Sequence, residues 1–471
     1  MTTATPPNDS TDLQSLVDQA LSHFQAQAYR ECLSVLDTIF ATGAQTRGLH
    51  FLATVSALAQ KKLERVLPEL ALELKDPNCV ADAQQLYATI RSQYEINPTL
   101  RADLHPNANY LICGMKPHSG GTGAFFAALL PHAKRADFRT IYPVMDLFSE
   151  AEQIRIASIR SSRVLVLHPQ TLGYDCFRAL YEAGNKISMY VLDNSFFCLQ
   201  SYNHRAGKRG ECFDCLGNLS GCHPGCSPFP VPITRKDNLN FLEWLQRVSH
   251  NIEFLCQTHH QAALLAAHMG SAIRCKVVGM KTDEFQDAAQ SRERPAPSAM
   301  RFDVVFHGHA FGAKGIRYAL ELATQLPELR FLIPSDLGEV QRCVPELPIA
   351  PNVTCQRLSW DSGLKEYVST CQLVLCPSEW SAPVEGALLK SLEFNGSVAV
   401  VETKYGFERE IPADIALKLP LNAQDAATRV RTHLKTSRPD GYRAAQEWAR
   451  RYRQSTDLSR IFESISRGSH Q

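Results

Sequence analysis

Two groups of residues in this sequence have types and spacings suited to chemistry. The first runs through the last third of the chain. Gly308 and His309 are followed by Gly312, Lys314 and Gly315; then come Pro377 and Ser378, and finally Glu385 and Glu393. A lysine on a glycine-rich turn can neutralise a phosphate. Glu385 and Glu393 are eight residues apart. In a helix that spacing turns about 800°, roughly 80° beyond two full turns. Their carboxylates then lie on neighbouring faces. Glu385 would stand at the N-terminal end, where the dipole and free N–H groups favour a diphosphate. Taken singly, Lys314 and both glutamates also suit a solvated helix surface.

The second group is made of thiols. Cys198, Cys212, Cys215, Cys222 and Cys226 fall within 29 residues, where an even spread of the chain's 15 cysteines would place about one. Two thiolate pairs on Gly- and Pro-rich turns suit tetrahedral zinc. Four cysteines also suit an iron–sulfur cluster. Cys198 can replace any one of the other four, and His204 and His223 are lesser candidates. Coordination by cysteine alone leaves no open position for water, so the expected zinc is a structural staple. The other ten cysteines are scattered, mostly in apolar stretches, and read as small buried hydrophobes.

A third feature is the glycine-rich turn Gly120, Gly121 and Gly123. It follows an apolar strand at 110–114 and precedes a helix at 124–130. Such a turn suits an anion or a sugar hydroxyl. It is neither G-x-G-x-x-G nor a Walker sequence, and a plain tight turn accounts for it equally.

The elements that must position these residues are strands alternating with helices. Strands are expected at 138–144, 163–168, 187–192, 252–257 and 275–278. After the polar stretch 287–299 the alternation restarts, with strands at 302–307, 331–335, 353–358, 373–376 and 398–401. Alternation of this kind predicts parallel sheets with helices on both faces. The fold class is therefore α/β, with two tandem Rossmann-like domains and a ligand cleft at the carboxyl ends of their strands. The expected domains span residues 107–290 and 300–440. A helix over 441–471 follows, crossing back to the first domain. Residues 95–106, with two prolines, read as a linker.

Residues 1–100 have helical period instead. Leu16, Ala20, Leu21 and Phe24 share one face, and Tyr29, Cys32, Leu33, Leu36, Ile39 and Phe40 share another. A second pair is expected over 48–60 and 63–74. The spacing of about 34 residues resembles a degenerate tetratricopeptide repeat. It reads either as a protein-docking surface or as a helical cap on the next domain.

The 471 residues are too many for one ordinary core. With 49 basic and 48 acidic side chains the net charge is +1, which gives no reason to expect nucleic acid as a partner. The first residues lack the basic and apolar segments of a secretory signal. No apolar run approaches the ~20 residues of a spanning helix. A cytoplasmic protein is expected, with peripheral docking at the inner face of the membrane left open; the basic stretch 443–453 suits such docking but reads better as a solvated helix face. That location disfavours disulfides.

In their order and spacing, Lys314-Gly315, Pro377-Ser378, Glu385 and Glu393 resemble the retaining glycosyltransferases of family four, which have the GT-B fold. The resemblance covers roughly residues 107–465. It implies transfer of a sugar from a UDP- or GDP-sugar to a glycan, lipid-linked or protein acceptor, with retention of configuration. Lys314 would hold the donor diphosphate without a metal, and Glu385 would contact the donor sugar. Gly386, Ala387 and Leu388 would offer amides to the phosphates, with Gly315, Ser378 and the Gly120–Gly123 turn nearby. Glu393 would bind the ribose. The resemblance also places a cysteine-bearing loop over the cleft. Two positions depart from the pattern. His309 stands for the family's arginine. Leu192, before Asp193, stands for its histidine near the reacting sugar. These departures motivate a rival reading, a catalytically impaired module that works as an interaction scaffold. The thiols motivate another, an iron–sulfur enzyme.

Overall fold

The computed structural model describes residues 10–42, 48–60, 62–74, 82–86, 104, 106–118, 120–143, 148, 150–229, 233–281, 301–436 and 439–467. The polar stretch 287–299 and most of the expected linker lie outside them. The chain divides into two compact units. One holds residues 1–116, 138–164 and 171–186; the other holds residues 117–137, 165–170 and 187–471.

The first unit opens with helices Ser10–Gln25, Tyr29–Ala41, Leu49–Ala59 and Leu63–Glu73. Each packs on the next. The apolar stripes meet in one cluster containing Ala20, Leu33, Leu36, Ile39 and Ala53. Ala57, Val66, Leu70 and Ala83 form another. Helical periodicity thus becomes a row of antiparallel helices, as the apolar spacing requires.

The strands are β1 (Asn109–Cys113), β2 (Phe138–Ile141), β3 (Arg163–Leu167), β4 (Lys186–Tyr190), β5 (Glu253–Cys256) and β6 (Arg274–Val277). Then come β7 (Val304–Phe306), β8 (Phe331–Ile333), β9 (Val353–Cys355), β10 (Leu373–Cys376), β11 (Val398–Val401) and β12 (Leu417–Leu419). They form two six-stranded sheets, ordered β2-β1-β3-β4-β5-β6 and β12-β11-β10-β7-β8-β9. Pairing is parallel, as in Val305 opposite Val374 and Val374 opposite Val398. These are the tandem Rossmann-like sheets that the alternation of strands and helices predicts.

In the second sheet the pleat sorts the apolar residues cleanly. Val305, Val374, Cys376, Val398 and Val400 join one core cluster, whereas Val304, Phe306, Leu373, Leu375, Ala399 and Val401 join the other. Successive side chains point to opposite faces, so a continuous apolar run feeds both layers. Leu388 and Ala445 cover one face, and Ile316 and Val430 the other.

Three boundaries differ from expectation. The helix after β1 starts at Gly120 and runs to Arg135, so Gly120, Gly121 and Gly123 form its first turn instead of preceding it. The C-terminal helix is two helices, Pro439–Ser455 and Ser459–Arg467; Asp457 accepts the Ser459 N–H at 2.8 Å and starts the second. The second packs on Gly120–Arg135, and Lys276 Nζ donates to its Ser464 carbonyl at 2.7 Å. Strand β12 was not expected: Lys418 splits its two leucines and Pro420 follows at once, so no apolar run marks it.

Asp303 fastens the entry to β7. It accepts from the Arg330 N–H at 2.8 Å, Arg330 Nε at 2.9 Å and Nη2 at 3.0 Å, and Gln372 Nε2 at 2.8 Å. These bonds tie the starts of β7, β8 and β10. Asp303→Ala should lower stability by about 2 kcal/mol, read as a lower urea midpoint with unchanged slope.

Candidate functional site

The site grows from the carboxyl ends of β7 and β10. After β7 the chain turns through His307, Gly308 and an exposed His309 into a single 3-10 turn, Gly312–Lys314. Gly315 follows with φ +78°, in the left-handed region. A Cβ at 315 would collide with the Pro377 carbonyl. Glycine therefore allows the turn after β7 to close on the turn after β10. That contact brings Lys314 to Ser378 and Glu385.

Lys314 Nζ forms an ion pair with Glu385 Oε1, and Ser378 Oγ donates to the same oxygen at 2.7 Å. Lys314 is 23% exposed and Glu385 10%. Nζ also lies 5.1 Å from the Trp380 ring centroid and 5.9 Å from that of Tyr202, distances at which a ring face attracts a cation. Glu385 is the N-cap residue of helix Gly386–Phe394, yet its side chain makes no capping bond. Its carboxylate faces Lys314 instead. The first amides of that helix, on Gly386, Ala387 and Leu388, then keep their orphan character.

Glu393 lies on the same helix but outside this group. It is buried, with Oε1 2.7 Å from Arg453 Nη2. Burial pushes its carboxyl up, against the charges of Arg453 and Arg450. Glu393 and Arg453 line a cavity with Gly386, Leu389, Lys281 and Tyr452. Behind the site, His307 is buried, stacked on Trp360, and joined through Nδ1 to Ser391 Oγ at 2.8 Å. Burial, then the charges of Lys390 and His309, push its imidazole down to about 3.

One site residue carries no motif in the sequence. His168 follows β3 with φ +58° and is buried. Its Nε2 lies 3.6 Å from Asp193 Oδ2, and the Ser195 N–H donates to Asp193 Oδ1 at 2.9 Å. Burial alone would raise the Asp193 carboxyl; His168 and Ser195 outweigh it and hold it below the usual range. An imidazole thus faces Asp193 even though Leu192 precedes it. The one sequence signal was a histidine ending an apolar strand, where ligands of parallel sheets bind. Tyr202 joins the two groups: its phenol lies in the fields of Lys314, Asp193 and Glu385, and burial pushes its pKa up.

Among the described residues of 191–234 there is no strand and only one short 3-10 turn, Leu219–Gly221. This segment is fastened to the loops of the second sheet. Arg209 pairs with Glu321, donates from Nε to Glu379 Oε2 at 2.8 Å, and from Nη2 to the Leu421 carbonyl at 3.0 Å. Glu211 accepts from Ser381 Oγ and the Lys404 N–H. Asn194 Nδ2 donates to the Ser381 carbonyl at 3.0 Å, and Asn203 exchanges two bonds with Ser381. All five clustered cysteines line one small cavity in this segment. As they are placed, no three His, Cys, Asp or Glu side chains among the described residues form a metal-holding group. None of the described cysteines is disulfide-bonded. Among those outside the cluster Cys32, Cys113, Cys176, Cys256, Cys371 and Cys376 are buried, whereas Cys343 is exposed. No described helix is long and apolar enough to cross a membrane.

Gly315→Ala should cost about 1–2 kcal/mol in backbone strain alone, plus the Pro377 collision; a thermal melt would show it. His307 gives a pH dependence. Its folded pKa lies below the unfolded value near 6.5. As pH falls from about 6.5 towards 3 the unfolded chain takes a proton that the folded chain refuses, so stability falls by about 1.4 kcal/mol per pH unit from this group. Urea midpoints at pH 7 and 5 should therefore differ less in His307→Gln than in the parent.

No family model matches the chain, and no curated protein is similar to it in sequence. Solved structures are similar in fold. Sucrose-phosphate synthase from Thermosynechococcus elongatus matches with a TM-score of 0.52 and 13% identity, over 77% of this chain and 98% of that one. HepE from Anabaena, in complex with UDP, matches with a TM-score of 0.48 and 12% identity, over 76% and 98%. WaaG, a glycosyltransferase involved in lipopolysaccharide biosynthesis, matches with 0.48 and 15%, over 77% and 100%. At these identities the likeness is one of fold: two tandem Rossmann-like sheets, shared with sucrose-phosphate synthase.

Proposed function

We propose that this chain is a retaining glycosyltransferase that uses a nucleotide-sugar donor. The observation that carries the reading is the Lys314 ammonium at the N-terminus of helix Gly386–Phe394, paired with a Glu385 carboxylate that does not cap its own helix. An ammonium beside free helix amides is a receptor for a diphosphate. The fold shared with sucrose-phosphate synthase supports the same reading.

The donor is a UDP- or GDP-sugar. Its diphosphate takes the Lys314 ammonium and the amides of Gly386, Ala387 and Leu388. Glu385, released from Lys314, accepts hydrogen bonds from donor sugar hydroxyls, and Ser378 fixes its orientation. Glu393 receives the ribose in exchange for part of its contact with Arg453. Gly315 shapes the Lys314 turn. The resemblance assigns His309 and the first helical turn at Gly120, Gly121 and Gly123 to the phosphate side. No metal is needed for the diphosphate.

The reaction is a front-face displacement. The bond from the anomeric carbon to the diphosphate oxygen breaks, and charge grows on both fragments. The acceptor hydroxyl, on a glycan, lipid-linked sugar or protein, attacks from the same face. Its proton passes to the departing phosphate oxygen, and configuration is retained. Lys314 stabilises the departing diphosphate. His168, oriented by Asp193, supplies a polar group on the sugar side where Leu192 cannot. That answers one of the two departures behind the impaired-module reading, Leu192; His309 is the other. The helices at 10–73 offer a surface for a protein partner.

Nucleotide release should be detectable with at least one UDP- or GDP-sugar. Lys314→Ala should lower kcat by about 10²–10³, and Glu385→Gln should lower it with less effect on nucleotide affinity. His168→Ala should lower turnover while nucleoside diphosphate still binds. If calorimetry finds no binding of any UDP, GDP or ADP donor, the reading is wrong.

A further inference from the structure

We propose that the segment between residues 191 and 234 binds one zinc ion through four of the thiolates of Cys198, Cys212, Cys215, Cys222 and Cys226, with Cys215 and Cys222 as the fixed pair.

The first argument is one of need. A described run from 191 to 229 with one 3-10 turn and no strand is uncommon in a compact domain. Its buried apolar residues are concentrated at the start, in Phe196, Phe197 and Leu199, with both phenylalanines against His268. From 203 to 229 the buried apolar side chains are Cys215, Leu219 and Cys222. A stretch with so small a core of its own is one that metals commonly hold.

The second argument is convergence. Residues separated by up to 28 positions present their thiols to one cavity. The convergence is built into the backbone. The Leu216 N–H donates to the Phe213 carbonyl at 2.9 Å, closing a tight turn over the Cys212–Cys215 pair. A second turn is closed by the Cys222 N–H on the Leu219 carbonyl at 3.1 Å, and a third by the Cys226 N–H on the His223 carbonyl at 3.0 Å. The first two turns touch: a Cβ at Gly221 would collide with the Asp214 carbonyl. Only glycine permits that approach, and it sets Cys222 beside Cys215.

The third argument concerns the metal. Cys215 and Cys222 are near enough for each thiol to lie in the other's field. Tetrahedral zinc, with Zn–S near 2.3 Å, holds its sulfurs about 3.8 Å apart, the range of a thiol–thiol contact. A four-iron cluster keeps its cysteines farther apart, because each binds a different iron; a two-iron cluster holds its cysteines in equally close pairs, and the metal analysis below separates it from zinc. As placed, the sulfurs still have to close in to reach one centre; deprotonation and the ion's charge drive that closure.

The test is metal analysis of the full chain, purified without chelator or metal-affinity resin. Zinc at about one per chain is expected. Cys215→Ser and Cys222→Ser should lose it, and Cys343→Ser, outside the cluster, should keep it. Should the cluster variants fail to fold, the parent decides. Mercurial titration should release one zinc as four thiols react, and cobalt exchange should give thiolate-to-cobalt absorption in the near ultraviolet. Metal-free protein with the cluster thiols freely titratable overturns the proposal. So does iron with matching sulfide, or zinc retained in folded Cys215→Ser and Cys222→Ser. None of these readouts uses a sugar donor, so they stand apart from the glycosyltransferase reading.

Discussion

The organisation of the site depends on a close backbone approach in the second sheet, Gly315 against the Pro377 carbonyl. Strands β7 and β10 are hydrogen-bonded neighbours, so the turns that leave their carboxyl ends start side by side. Whether those turns meet depends on the absence of a Cβ at 315. Their meeting gives Lys314 a carboxylate partner at the end of a helix, and the ion pair fixes an ammonium that would otherwise sample solvent. Burying even part of an ion pair is costly unless both members are hydrogen-bonded. Ser378 supplies that bond on the Glu385 side, and the Trp380 and Tyr202 rings shield the Lys314 side. The unliganded pair therefore holds the two side chains close to where an anionic ligand needs them, and the ligand's charge replaces that of Glu385.

Charge balance explains how such a site exists on a nearly neutral protein. With a net charge of +1 the molecule has no global field to gather anions. Recognition must come from local groups. Lys314 and the helix amides supply them, and they work because their surroundings exclude water and strengthen each bond. The neighbouring acids are accounted for by other partners. Glu379, 1% exposed, pairs with Arg209, and Glu408 accepts from Thr403 at its N–H and hydroxyl. Burial still pushes both carboxyls up, so each depends on its partner to stay ionised.

How much of this was legible in the sequence follows from the range of each interaction. Strands such as β10 and β11 are continuous apolar runs between turns, and their bounds were read to the residue. Lys314-Gly315 and the Pro377–Glu385 stretch were legible because each is a local motif on a predicted turn. The cysteine cluster stood out by density alone. The C-terminal break was missed because Thr456, Asp457 and Leu458 interrupt a pattern that continues on both sides. His168 was missed because its partner, Asp193, lies on another strand end, and pairing across a sheet leaves no local period. For the same reason nothing in the sequence joined Arg209 to Glu379 or Asn203 to Ser381. Those bonds span about 170 residues or more of chain.

These long-range bonds couple the cysteine segment to the site. Ser381 receives Asn194, Asn203 and Glu211 from that segment. It sits on the short turn between Ser378 and Glu385, the two residues bonded to each other beside Lys314. The Phe407 N–H closes the same turn through the Ala382 carbonyl at 2.8 Å. A turn of this length has few independent dihedrals, so fixing Ser381 constrains both of its ends. The order of residues 191–234 thus helps set the direction of the Glu385 carboxylate without touching it. This places the thiols in a supporting role. A disordered segment would take Arg209 from Glu379, and Asn194, Asn203 and Glu211 from Ser381, and the cost of those unsatisfied groups would fall on the turn that carries the chemistry.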